Sequence, residues 1–150
     1  MGCDIHLWVE TFDGAMWKFA HPYRICGEGR ESWVVWEEPY PERNYYLFAL
    51  LADVRNGGSI KLRPISPPKG IPSDLSEIGS RICREWGPEG HSHSWLVADE
   101  LLSYDWSRRS AIQEGRSEGE VCQDFVERFL PTLREHGRAG SVRVVFFFDN

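Results

Sequence analysis

Two short tracts, Cys3-Asp4-Ile5-His6 and Gly90-His91-Ser92-His93-Ser94-Trp95, contain the residues of this chain whose types and spacing could do chemistry. Asp-x-His and His-x-His each place two metal-ligating side chains two residues apart. In extended backbone such pairs project from one face. Brought together by folding, Asp4, His6, His91 and His93 offer three imidazoles and a carboxylate to a divalent cation such as zinc, manganese, iron or nickel. With an open coordination position, such a metal lowers the pKa of bound water and polarises a phosphoryl or carbonyl oxygen. The same four residues are therefore the candidate catalytic set, and Asp53, Asp99 or Asp149 could complete the shell or act as base. Two alternatives stay open: histidines that serve only as structural hydrogen-bonding groups, and a ligand site without metal.

Arginines supply a second ingredient. Arg43, Arg55 and Arg63 flank one apolar segment, with Lys61 and Lys69 nearby, and planar guanidinium forks suit phosphate oxygens. Arg43, Asn44, Tyr45, Arg55 and Trp95 are the candidate ligand-binding residues; Trp8, Tyr45, Tyr46 and Trp95 offer ring faces to a base. The competing interpretation is a solvated charged helix surface with packed aromatics.

The elements that must position these groups follow from periodicity. Cys3, Ile5, Leu7 and Val9 alternate with Asp4, His6, Trp8 and Glu10, a strand with the first set toward the core. Cys3 is thereby a buried thiol rather than a nucleophile. Asp13-Gly14 turns the chain, and 16–20 returns as the second arm of a hairpin. Residues 32–37 add another strand.

Asn44 caps a helix through Tyr45, Leu47, Phe48, Leu50, Leu51 and Val54, which stops before Gly57-Gly58. Pro64, Pro67, Pro68 and Pro72 stiffen a long loop. Ser73 or Asp74 opens a short helix through Ile82, ending near Trp86-Gly87-Pro88. The His-x-His tract follows in a Gly-flanked loop, and Ser94 is the N-cap of a helix over 95–104. The polar stretch 107–119 is the expected mobile surface segment. Residues 121–136 are amphipathic, with Pro131 bending the last turn. The continuous apolar run 141–148 predicts a strand buried on both faces and central in its sheet. The expectation is one α+β domain over 1–150, with a mixed or antiparallel sheet, an N-terminal hairpin, a central C-terminal strand and three to four helices.

Composition bounds the partners. A net charge of −6 argues against a protein that coats bulk nucleic acid, while leaving room for a small phosphorylated ligand in a local basic pocket. Cys3, Cys26, Cys83 and Cys122 form no C-x-x-C pair, and without a secretory leader reduced cytoplasmic thiols are expected. No apolar run reaches the length of a membrane span. Gly2-Cys3 does not complete a myristoylation pattern, because His6 stands where Ser or Thr is required.

Several tracts together, Gly2-Cys3-Asp4-Ile5-His6, Arg43-Asn44-Tyr45-x-Leu47-Phe48, Pro68-x-Gly70-Ile71-Pro72, Gly90-His91-Ser92-His93-Ser94-Trp95-Leu96 and the terminal Val-Arg-Val-Val-Phe-Phe-Phe-Asp-Asn, resemble a family of small bacteriophage and prophage proteins. The resemblance runs along most of the chain. It implies a phage accessory protein in the cytoplasm of an infected bacterium, a setting in which nucleotide immune signals are degraded or sequestered. In form, Asp4-Ile5-His6 and Gly90-His91-Ser92-His93 also resemble the first and last motifs of calcineurin-like metallophosphoesterases. The intervening Gly-Asp and Gly-Asn-His motifs of that family are missing here. The leading expectation is thus a metal-dependent phosphoesterase acting on a nucleotide or cyclic nucleotide. The alternatives are a non-catalytic sponge for the same ligand, expected to be homo-oligomeric, and a protein-binding inhibitor of a host factor with Trp33 and Trp36 as anchors.

Overall fold

The computed structural model of the protein describes residues 2–150. A four-stranded antiparallel sheet has the order β2-β1-β6-β5, from strands Asp4–Phe12 (β1), Trp17–Phe19 (β2), His91–Val97 (β5) and Val142–Asp149 (β6). Tyr23–Cys26 (β3) and Trp33–Trp36 (β4) pair separately as a two-stranded sheet. Five α-helices complete the α+β fold: Tyr45–Ala52 (α1), Glu77–Trp86 (α2), Ala98–Leu102 (α3), Glu118–Val121 (α4) and Leu130–Leu133 (α5).

The apolar run of β6 takes the central position for a physical reason. Val142 to Phe148 are buried throughout, so both faces of the strand need cover and both of its edges find partners. Its register with β1 sets Asp4 opposite Asp149, His6 opposite Phe147 and Glu10 opposite Arg143. Alternate residues of β1 and β6 then feed two cores. Ile5, Leu7, Val9, Val144, Phe146 and Phe148 face α1, α3 and α5, whereas Trp8, Val145 and Phe147 pack on Ile78 and Ile82 of α2 and Val34 of β4. The second face of β1 is covered in the middle of the strand, with Trp8 and Glu10 fully buried, and opens at Asp4 and Phe12.

Glu10 is tolerated there because every nearby donor turns to it. Arg143 donates through Nε and Nη2 at 3.0 and 2.8 Å, Trp8 Nε1 at 3.1 Å and the Ser76 backbone at 3.2 Å. Arg143 reaches on to Asp74 at 2.7 Å, so the ion network ties β1 and β6 to the segment before α2.

Local chemistry sets the helix ends. Asn44 accepts from the Leu47 backbone N–H, as the sequence predicts, and Ser76 does the same for Gly79, so α2 begins at Glu77 rather than beside Ser73. Between 118 and 136 the amphipathic stretch breaks into α4, a π-helical turn over Phe125–Phe129 and α5. Pro131 has no N–H to offer the carbonyl four residues back, and the wide turn immediately before it absorbs that loss.

The clearest departure lies at 91–102. The His-x-His tract is not a loop but the start of β5, and the helix begins only at Ala98. Ser94 does not cap it; its hydroxyl is buried in the strand and accepts from the Lys69 backbone N–H at 2.9 Å. A bulge between His91 and Ser94, with Ser92 at φ 55°, breaks the strand's two-residue period.

Candidate functional site

The order β1-β6-β5 puts a whole strand between the two histidine tracts. Two strand spacings separate their backbones by about 9–10 Å. The ring of Phe147 fills the gap. His6 stacks on one side of it at 5.0 Å and His93 on the other at 5.1 Å between ring centroids.

The individual donors are also committed. Asp4 holds Arg43 at two points, 2.8 and 2.9 Å, and this fork keeps its carboxyl below the usual carboxylate range. His6 Nδ1 meets Glu38 at 2.6 Å while Nε2 meets Asp149 at 3.1 Å. Burial alone would lower the His6 pKa, but the two carboxylates outweigh it and the net direction is upward. Because the carboxylates sit on opposite ring nitrogens, no single point is within bonding distance of all three groups. His91 Nδ1 contacts the Ser92 hydroxyl at 2.9 Å, and its Nε2 is buried without a hydrogen-bond partner among the described residues. The pKa of His93 is pushed down by burial and by His91.

Among the described residues no group of three or more His, Cys, Asp or Glu is arranged to hold a metal ion. The four-ligand set read from the sequence therefore does not assemble in this arrangement. His6 does open onto a cleft of about 620 Å³ beside Trp36 and Trp86, but both of its nitrogens are already engaged.

The candidate ligand-binding residues behave differently. Arg43, Asn44, Tyr45 and Arg55 all line one cleft of about 500 Å³ beside α1. Asn44 Oδ1 caps the helix and Nδ2 donates to the Val121 carbonyl at 2.9 Å, so this side chain shapes the wall. Tyr45 is partly exposed, its hydroxyl accepts from the Cys3 backbone, and the Arg55 guanidinium lies over the ring, 5.3 Å from its centroid. Burial raises the Cys3 thiol pKa, with Arg55 opposing the shift.

The helix exit aims Arg55. Asp53 and Arg55 both adopt left-handed φ, 61° and 55°, a conformation that costs a non-glycine residue about 1–3 kcal/mol. Gly2 lies against Arg43, where a Cβ would come within 2.6 Å of the guanidinium and displace that side chain.

Trp95 does not join this cleft. It sits on the opposite face of the sheet with Phe147 and α2, its ring covered by Lys69 Nζ at 4.2 Å. The far wall, with Ile60, Leu62, Ile112 and Gln113, comes from segments that sequence reasoning did not connect. Asn56-Gly57-Gly58 was the available signal: Asn56 bonds both the N–H and the carbonyl of Leu62 and folds that loop back over α1.

No protein-family model, curated protein or solved structure matches the chain significantly. Among the described residues no helix is long and apolar enough to cross a membrane.

Proposed function

We propose that this protein binds a small phosphorylated ligand of the nucleotide class in the α1 cleft and sequesters it without changing it. The observation that carries this reading is the convergence of Arg43, Tyr45 and Arg55 on one cleft of about 500 Å³, within the roughly 300–1,000 Å³ range of small-molecule sites. The two guanidiniums give the cleft positive charge suited to phosphoryl oxygens, Arg43 in competition with the Asp4 carboxylate that now holds it. Tyr45 supplies a ring face for the base, and Ile60, Leu62 and Ile112 an apolar wall.

The resemblance of the sequence to phage proteins supplies the setting. The ligand would be a nucleotide immune signal, linear or cyclic, held in the cytoplasm of an infected bacterium.

The test incubates purified protein with a panel of linear and cyclic nucleotides, with and without divalent metals. Each sample is chromatographed before and after heat denaturation. A nucleotide that disappears and returns intact on heating, and does neither with Arg43→Gln/Arg55→Gln protein, is the expected result. A new product would overturn sequestration in favour of a metal-dependent phosphoesterase. If every nucleotide stayed in solution unchanged, both would fail and the search would move to a host protein partner. Trp33, half-exposed, would then be the anchor to examine; Trp36 packs edge-on against Trp8 at 6.1 Å.

A further inference from the structure

We propose that a second cleft, on the α2 side of the sheet, binds the phosphoryl group of a small molecule. It encloses about 390 Å³ and is lined by Gly29, Arg30, Ser32, Arg81, Arg84 and Glu85. Arg81 and Arg84 stand three residues apart on α2 and so share one helix face. Arg30 joins them from the short turn Gly29–Glu31, some fifty residues earlier in the chain.

Three guanidiniums thus share one cleft, and among the described residues none has a carboxylate within ion-pair distance. Arg81 donates from Nη2 to the Ser32 hydroxyl at 2.7 Å, while its Nε is covered and unpaired. Glu85, the one carboxylate of the lining, is turned away in part: its Oε1 accepts the Val34 backbone N–H at 2.8 Å. Among the described residues the Arg30 and Arg84 side chains make no hydrogen bond or ion pair, and both residues are exposed.

Such a grouping is costly, because like charges on neighbouring helix positions repel. It is the more telling in a chain with 23 acidic and 17 basic residues, where counter-charges are plentiful. A tetrahedral phosphoryl dianion removes that repulsion and meets the planar forks in their preferred geometry. The site is independent of the α1 cleft, since α1 and α2 cover opposite faces of the sheet.

The experiment uses inorganic phosphate as probe and the full chain carrying Arg43→Gln/Arg55→Gln, which disables the first cleft. Binding is followed by 31P line broadening and by thermal melting, against chloride at matched ionic strength. Phosphate is expected to bind and to raise the melting temperature. Adding Arg30→Gln/Arg84→Gln should weaken phosphate at least tenfold and raise the melting temperature in phosphate-free buffer. Equal phosphate affinity with and without these two changes, or no binding in the starting chain, would overturn the proposal. Loss of phosphate binding on Arg30→Gln/Arg84→Gln would uphold it even if the nucleotide panel gave nothing.

Discussion

Asp4 competes with any anion for Arg43, because both oxygens of its carboxylate occupy the same fork a phosphate would use. Both side chains are about half exposed, so the pair itself contributes little to folding. Asp4→Asn should therefore leave stability unchanged and tighten binding of inorganic pyrophosphate by about three- to tenfold, because it removes the carboxylate that competes for the fork. Calorimetric titration of a chain carrying Arg30→Gln/Arg84→Gln isolates that effect. His21 gives a second prediction at this scale. Its Nε2 accepts the Val9 backbone N–H at 2.7 Å, and burial, assisted by His136, lowers its pKa to about 4. A folded value below the unfolded 6.5 means that the unfolded chain binds the proton first. Stability from this group is thus complete above pH 6.5 and is lost as pH falls toward 4, by up to about 3 kcal/mol. Urea denaturation between pH 7 and 4 should show that loss in the wild type and a flatter profile in His21→Gln. His6 has the opposite sign: with its pKa raised, its contribution is complete below 6.5 and fades as pH rises through the folded value.

Elements are held together here by what their residues share across strands. Glu10 and Arg143 face each other across β1 and β6, both fully buried. Glu10→Leu should cost about 3–5 kcal/mol, since it leaves the buried guanidinium with Asp74 as its one remaining carboxylate, while Glu10→Leu/Arg143→Met should recover much of that loss. Chemical denaturation of both single changes and the double gives the coupling directly; additive losses would mean the two charges act separately. How readily each element could be read follows the same logic. β1, the Asn44-capped α1 and the apolar β6 were legible because their signals are local: strict alternation, a cap three residues from its N–H, and seven buried positions in a row. β5 was not, since the bulge at Ser92 interrupts the alternation on which such a reading depends. Ser94 looked like a cap because a serine hydroxyl serves either role, and only the distant Lys69 backbone decides which. At the candidate site, Arg43, Asn44, Tyr45 and Arg55 were found together because one eight-residue helix, about 12 Å long, carries them at its two ends. Ile112 and Gln113, and the grouping of Arg30 with Arg81 and Arg84, depend on long-range packing that leaves no local mark.

For the molecule as a whole, β1 and β6 are the common wall of two cores, so neither core can dissolve without exposing the other. Phe147→Ala empties the α2 side and Phe148→Ala the α1 side, each at about 3–5 kcal/mol. Both should lower one and the same transition, with intrinsic fluorescence and far-ultraviolet circular dichroism moving together. A biphasic melt in either variant would show instead that the two sides unfold separately.

The kink at Ser92 has a consequence beyond the histidines it misaligns. A sheet whose outermost strands run straight offers its spare backbone donors and acceptors to a neighbouring molecule, and fibres can grow from that flank. Here one flank is only three residues long, Trp17–Phe19, and the other is bent out of register where the chain turns left-handed. Both flanks of the four-stranded sheet are thereby poor templates for a further strand.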